Sequence, residues 1–296
     1  MNYVIHSDFA RVVAVRKAVS VQASNFGRRG LMHSTFWRKR MLRLTFVLLL
    51  VSHVCLAAQK PLGNDPTAVS LAQKSLSALT GGATISDATL NGSATSVLGS
   101  DNETGSVTLE AKGTSESRVD LNPSGGEVLS DVRNITDGTS GGAWKRGKEA
   151  VVAYAAHNCW TDAAWFFPAL SSLTQTANPA YVFQYLGQEQ HAGLNTEHIR
   201  VLQTQSVELL QTLSTMDFYL DPTTMLPLSI SFQVHPDLDA NTNIPAEVLF
   251  ANYQTVKGIQ VPFSIQRMLN NGVVLDVTIT SAEFNTGLSD SVFNLQ

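Results

Sequence analysis

Leu226-Pro227-Leu228-Ser229-Ile230-Ser231-Phe232-Gln233-Val234-His235 places a large apolar side chain at every second position. Successive side chains of a strand point to opposite faces, so this alternation predicts a strand with one buried and one solvated face. The same period appears at 107–112, 118–121, 259–266 and 276–280. Strands of this kind are typical of antiparallel sheets, and Asn271-Gly272 between two of them indicates a tight hairpin. Pro227 and Pro262 fall inside strands, where each is expected at an edge or a bulge.

One helix is predicted near the start of the strand-rich region. Asp65 is a good N-cap, Pro66 suits the first helical position, and Gly81-Gly82 ends the run. Its apolar face is formed by Val69, Ala72, Leu76 and Leu79. Residues 206–214 fit either a short helix or a mobile loop. The sequence thus predicts one curved antiparallel sheet, an α+β fold, with helices packed into its concave side.

A second helical stretch, at residues 160–170, is the most aromatic part of the chain. Thr161 or Asp162 is a suitable cap, and Pro168 would kink the helix or confine it to short turns. Three consecutive large side chains cannot all face one direction on a helix. Two interpretations stay open: the segment is pure core, or it is a helical lid over a hydrophobic ligand cavity. The candidate cavity residues are Trp160, Trp165, Phe166, Phe167 and Leu170.

The 296 residues carry 20 Lys and Arg against 24 Asp and Glu, and the charges are unevenly distributed. Nine basic residues and one acidic residue lie within 1–43, which leaves a net charge of −12 from Ala58 onward. A body this acidic is a poor partner for phosphate backbones, so nucleic-acid binding is excluded as a main function. Two cysteines exclude a disulfide-stapled fold. One of them, Cys159, is expected to be a small buried side chain.

The N-terminal region predicts export. Residues 38–43 are basic, residues 44–54 are apolar, and Val54-Cys55-Leu56-Ala57-Ala58 ends the run with small side chains. This order is typical of a secretory signal peptide, and the apolar run is shorter than the about 20 residues of a membrane-spanning helix. We therefore expect a gene-start extension or disordered basic arm at 1–40, a signal peptide at 41–58, and a single domain at 59–296. The periplasm or the extracellular space is the expected location.

Catalytic and metal motifs are weak in this chain. Gly138-Thr139-Ser140-Gly141-Gly142 matches the nucleophile pattern of serine hydrolases, but the flanking residues lack the strand and helix that would hold the serine on a strained turn. A glycine-rich hairpin loop is the better interpretation. The histidines after the leader, at 157, 191, 198 and 235, do not have the spacing of a metal site. No catalytic residue, metal or cofactor is predicted.

Three C-terminal segments resemble a known family. Residues 217–227 form a strand, an Asp-Pro turn and a Leu-Pro pair, residues 252–262 read Asn-Tyr-Gln-Thr-Val-Lys-Gly-Ile-Gln-Val-Pro, and Phe284-Asn285 precedes Asp290 and Phe293. These features are similar to those of the periplasmic lipoprotein carriers and their relatives, the LolA/LppX-like superfamily. The resemblance covers about 65–296 and implies an unclosed antiparallel β-barrel whose helices cover a cavity for acyl chains. This chain departs from the carriers by extra loops expected at 177–196 and 237–244. Arg118 and Arg133 are equally good candidates for the carriers' functional arginine.

Three functions follow from these patterns. The first is a non-catalytic binding or carrier protein for a lipid, a lipoprotein acyl chain or another apolar ligand. The second is an envelope sensor or scaffold that uses the same fold to bind another protein. The third and weakest is a secreted hydrolase that uses Ser140. The expected state is a monomer with a transient membrane-associated partner.

Overall fold

The computed structural model describes residues 63–98, 101–136, 138–204 and 208–295. Its first element is helix α1 (Pro66–Thr80). The predicted caps are confirmed: Asp65 accepts a hydrogen bond from the backbone N–H of Thr67 at 2.7 Å, and Gly81 ends the helix in a left-handed conformation that glycine adopts at little cost. The face that α1 buries is formed by Ala68, Leu71, Ala72, Ser75, Leu79 and Thr80. It is therefore rotated slightly from the predicted face, because Val69 and Leu76 are only half-buried.

Most of the remaining regular structure is β-strand. The first six strands are β1 (Asp87–Leu98), β2 (Asp101–Lys112), β3 (Glu116–Pro123), β4 (Leu129–Thr136), β5 (Thr139–Arg146) and β6 (Val152–Ala153). The next seven are β7 (Tyr181–His191), β8 (Leu194–Gln203), β9 (Met216–Leu220), β10 (Pro227–Val234), β11 (Ile244–Val256), β12 (Ile259–Leu269) and β13 (Gly272–Phe284). A short helix, α2 (Glu208–Leu213), precedes β9. Of the two structures considered for residues 206–214, a short helix or a loop, the described residues 208–214 have the helix.

All strands of the described residues form one antiparallel sheet in the order β6-β5-β4-β3-β2-β1-β13-β12-β11-β10-β9-β8-β7. Two meanders run outward from the centre, where β1 pairs with β13 from Ala88 opposite Phe284 to Ser96 opposite Leu275. The outermost strands β6 and β7 do not pair with each other in the described ranges, so the sheet stays open. The predicted fold class, an α+β fold with a curved antiparallel sheet forming an unclosed β-barrel, is confirmed.

Both strand prolines lie where the sheet tolerates a missing N–H. Pro227 begins β10 at an irregularity in its pairing with β9. Pro262 lies opposite Tyr253 of β11, whereas the pairing of β12 with β13 covers only Ser264 to Leu269. Pro262 is thus on a local edge of a strand that is internal elsewhere. Both expectations, an edge or a bulge, are confirmed.

One hydrophobic core lies on the inner face of the sheet, the face against which α1 packs. It combines α1 with side chains from both meanders, among them Leu90, Leu109, Leu121, Phe218, Ile230, Val248, Ile265 and Val277. Alternation along the strands places these residues on one face, as the sequence predicts. The sheet therefore has a covered inner face whose two halves share a single core.

The connection from β6 to β7 crosses this inner face, and we call residues 156–175 the cover. It contains three short 3-10 helices, Ala156–Cys159, Pro168–Leu170 and Ser172–Gln175, rather than one α-helix. Pro168 stands at the first position of the second of them. Of the two outcomes expected for residues 160–170, a kinked helix or short turns, the structure has short turns.

The prediction of an extra loop at residues 177–196 is wrong. These residues form most of β7 and the start of β8, joined at Ala192-Gly193. Because β7 is an edge strand whose distal half is exposed on both faces, its sequence there lacks apolar alternation. The expected loop before Ile244 is confirmed, since β11 begins at Ile244.

The extension predicted at 1–40 and the signal peptide predicted at 41–58 lie outside the described residues and stay predictions. In the part of the chain that is described, neither α1 nor α2 is long and apolar enough to cross a bilayer.

Candidate functional site

The structure separates the five residues proposed from the aromatic segment. Trp165 is 7% exposed and lines a cavity between the cover and the inner face of the sheet. Phe166, Phe167 and Leu170 are almost completely buried in the core and do not line this cavity. Trp160 is half-buried, and its carbonyl oxygen accepts a hydrogen bond from Gln203 at 3.1 Å. Thus one of the five proposed residues, Trp165, lines the cavity, and Phe166, Phe167 and Leu170 pack the cover into the core.

The cavity has a volume of about 80 Å³. One wall is apolar and is formed by Trp165, Phe232, Val234, Ile244 and Leu269. A second, polar wall comes from strands β1, β4 and β12, from the cover and from the residues that follow β10. Pockets for drug-sized ligands usually measure about 300–1,000 Å³, so an acyl chain enters this site only if the cover moves.

Charged residues of opposite sign form the polar wall. Asp131 of β4 accepts a hydrogen bond from the hydroxyl of Tyr154 at 2.5 Å. Arg267 of β12 lies over the ring of Trp165, with its Cζ 4.8 Å from the ring centroid, a distance that suits a cation–π contact. Burial raises the pKa of Asp131, although the Tyr154 hydroxyl and the guanidinium groups of Arg267 and Arg133 act in the opposite direction. The site therefore combines an apolar surface with buried charge.

Arg133 connects the sheet to the cover. Its Nη2 donates a hydrogen bond to the carbonyl oxygen of Thr161 at 3.2 Å, and its side chain lines the cavity. Arg118, the other arginine considered from sequence, instead donates to the carbonyl of Val292 and pairs with Asp120. Of these two arginines, Arg133 is the one that contacts the cover.

Asp162 is a buried carboxylate within the cover. Its Oδ2 accepts a hydrogen bond from the backbone N–H of Ser172 at 2.7 Å. Burial raises the pKa of Asp162 from 3.8 to about 6, against the effects of the Ser172 hydrogen bonds and of Arg133. A raised folded-state pKa means that the folded protein binds a proton more tightly than the unfolded chain does. This group therefore stabilises the fold at low pH, and that stability is lost as the pH rises through about 6.

Asp162→Asn tests this pH dependence. Asparagine keeps an oxygen that accepts from Ser172 but carries no charge. Its effect on the free energy of unfolding should therefore be more favourable at pH 7.5 than at pH 4.5, by about 2 kcal/mol. Urea unfolding at the two pH values measures this difference in stability.

Asp87→Asn is the matched control, because the pKa of Asp87 is shifted in the opposite direction. Burial pushes the pKa of Asp87 upward, but hydrogen bonds from Thr286, Ser86 and Gly287 outweigh it and the pKa is lowered. Asp87→Asn should therefore lose more stability at pH 7.5 than at pH 4.5. Equal effects of Asp162→Asn at both pH values would contradict the assignment.

Most residues of the polar wall were not predicted from the sequence, although the sequence contains a signal for them. Arg267 continues the alternation of Ile259, Val261 and Ile265 onto the buried face. Asp131 follows Leu129 in the same way on β4. A charged residue at a position where the period predicts burial indicates a polar site within the core.

The remaining candidate groups do not assemble a catalytic or metal centre in the described ranges. Ser140 lies opposite Ile135 in the β4–β5 hairpin, so the strand-to-helix turn of a hydrolase is not formed around it. Cys159 is buried as predicted, and burial raises the pKa of its thiol. His191 and His198 both contact the ring of Tyr219, with centroids at 3.6 and 4.4 Å. No cluster in the described residues has the composition of a metal site.

Solved structures with the same fold exist. A domain named for outer membrane lipoprotein sorting, from Vibrio parahaemolyticus, aligns with a TM-score of 0.51 and 15% identity over 77% of this chain and 96% of its own. A DUF1329 family protein from Desulfovibrio piger aligns with a TM-score of 0.50 and 12% identity over the same shares. A LolA superfamily protein from Nitrosomonas europaea gives a TM-score of 0.48 at 12% identity, covering 77% and 97%. No protein-family model and no curated protein sequence matches the chain.

At 15% and 12% identity, the first two alignments show a shared fold. The hairpin motifs predicted a resemblance to the lipoprotein carrier-like superfamily, and this resemblance is confirmed for the fold. Over 77% of its length the chain has the same fold as the domain named for lipoprotein sorting.

Proposed function

We propose that this protein is an exported, non-catalytic binding protein that holds a lipid, a lipoprotein acyl chain or another apolar ligand between the sheet and the cover. The observation that carries the proposal is the cavity, where Trp165 of the cover faces apolar side chains of β10, β11 and β12. A fold shared with a domain named for lipoprotein sorting supports the same class of ligand. A monomer that exchanges its ligand with a membrane-associated partner fits this function.

Movement of the cover is part of the proposal because the cavity is small. Two hydrogen bonds attach the cover at separate points. The Ala163 N–H donates to the Thr114 carbonyl in the β2–β3 turn at 2.9 Å, and Arg133 of β4 donates to the Thr161 carbonyl. The cover has only single turns of 3-10 helix, whose hydrogen-bond geometry is poorer than that of an α-helix. Lifting it would open the apolar inner face to an acyl chain.

Trp165→Ala tests the proposal, and Trp144→Ala is its control. Trp144 is buried to a similar degree, 5% exposed, and belongs to the same core, but it does not line the cavity. Both changes should lower stability by about 3–5 kcal/mol. Only Trp165→Ala should weaken binding of dodecanoate or a phospholipid, by about 1–3 kcal/mol, because its ring contributes to the cavity wall. Urea denaturation measures the loss of stability, and calorimetric titration at a temperature where all three proteins are folded measures the change in affinity.

Wild-type protein must show a saturable change in tryptophan fluorescence with at least one acyl ligand. If it binds none of them, the carrier function fails and a scaffold that binds another protein takes its place. Equal losses of affinity in the two tryptophan variants would remove the cavity as the binding site.

A further inference from the structure

The cavity wall contains more hydrogen-bonding capacity than the protein uses. A guanidinium offers five N–H donors, yet in the described part of the chain Arg133 makes one hydrogen bond, to Thr161, and no ion pair. Ser96 and His235 also line the cavity, and Oγ of Ser96 and Nε2 of His235 have no hydrogen-bond partner among the described residues. Buried polar groups are nearly always hydrogen-bonded. A purely apolar occupant would leave these groups desolvated at a cost.

The charge expected of the ligand follows from which polar groups move away with the cover. The carbonyl of Thr161 and the carboxylate of Asp162 both belong to the cover, and both lie near Arg133. When the cover lifts to admit an acyl chain, Arg133 loses its hydrogen bond to Thr161 and the nearby charge of Asp162. Asp131 stays on the same strand with its Tyr154 hydrogen bond. Arg133 then needs a new acceptor, and an anionic oxygen is the strongest acceptor for a guanidinium.

We propose, on the basis of the function proposed above, that Arg133 and the neighbouring Arg267 bind the anionic head group of an amphiphilic ligand, a carboxylate or a phosphate. Its acyl chain lies along the apolar wall formed by Trp165, Val234, Ile244 and Leu269. The head group replaces the contacts that the cover supplies in the closed protein. Because residues from Ala58 onward carry a net charge of −12, long-range electrostatics oppose anions. A preference for anions has to come from these local contacts.

Three ligands with the same chain test the proposal: dodecanoate, dodecyl phosphate and the neutral dodecanol. Each is titrated calorimetrically into the delipidated protein, at concentrations below those that form micelles. We expect wild-type protein to bind the two anions about tenfold or more tightly than the alcohol, the scale of a hydrogen bond to a charged group. A higher affinity for one anion identifies the head group as carboxylate or phosphate.

Arg133→Gln should reduce the preference for anions to less than about threefold and leave the affinity for dodecanol within about twofold. Arg118→Gln, on the neighbouring strand β3 and bonded to Val292 instead of the cover, should keep the wild-type preference. Arg133→Lys retains the charge and should keep part of the preference, which covers the case in which the glutamine variant does not fold.

Equal or tighter binding of dodecanol by wild-type protein overturns the head-group assignment and leaves the carrier function standing. An unchanged anion preference in Arg133→Gln also overturns it. Failure of wild-type protein to bind any of the three ligands overturns both proposals.

Discussion

Replacing Phe167 with alanine should lower the free energy of unfolding by about 3–5 kcal/mol, the range for large-to-small changes at buried aromatic positions. Phe167 has no exposed surface and stacks on Phe284 with ring centroids 5.7 Å apart. The change removes a ring that fixes the cover to the end of β13. Urea denaturation monitored by circular dichroism measures the loss, as a lower midpoint at an unchanged slope.

Leu238→Ala is the control for this measurement, because Leu238 is fully exposed and its change should stay within about 0.5 kcal/mol. A loss below about 1 kcal/mol in Phe167→Ala would mean that the ring is not packed in the core. In that case the cavity extends further under the cover than the structure indicates, and Phe167 returns to the set of ligand-contacting candidates.

Gly92→Ala should destabilise the protein by about 3 kcal/mol or more, at the upper end of the cost of overpacking. Gly92 lies at the register irregularity between β1 and β13. A Cβ atom there would overlap the carbonyl oxygen of Thr278 and stand 2.9 Å from its carbonyl carbon and 3.0 Å from Cα of Ile279. All three are backbone atoms, which cannot rotate away as a side chain can. The central strand pair would have to separate.

Gly141→Ala provides the comparison, since the added Cβ meets only Asn134 Oδ1 at an ordinary 3.5 Å. Thermal unfolding of both variants measures the difference, and Gly141→Ala should change stability by less than about 1 kcal/mol. Comparable losses in the two variants would show that close approach of β13 is not the reason for glycine at position 92.

The sheet was predictable from sequence where one face is buried and the other solvated. Residues 226–235 alternate clearly and form β10 almost to the predicted ends. Asn271-Gly272 similarly marks the turn into β13. The distal half of β7 was missed because an edge strand exposed on both faces gives no alternation, so Gln188 and Gln190 look like loop residues. Strand pairing there is imposed by β8, its neighbour in the sheet.

The candidate site was predictable only in part. The high content of aromatic residues at 160–170 identified the cover, including Trp165. Aromatic content alone does not tell which ring packs in the core and which lines a cavity. Phe166 and Trp165 are adjacent in sequence and meet edge to face at 5.4 Å, yet only Trp165 lines the cavity. Arg133 and Arg267 come from strands β4 and β12, which sequence order does not bring together. Their proximity depends on the curvature of the whole sheet.

The central pairing of β1 with β13 also has a consequence for how the chain folds. Each meander consists of hairpins between neighbours in sequence, which can form early because their loops are short. Joining the meanders closes a loop that runs from Ala88 to Phe284, and the entropy of that closure must be overcome before the central contacts contribute. During synthesis this step waits until β13 has been added. Until then the apolar inner face of the first meander lacks its central neighbour, and we expect the incomplete chain to be prone to aggregation.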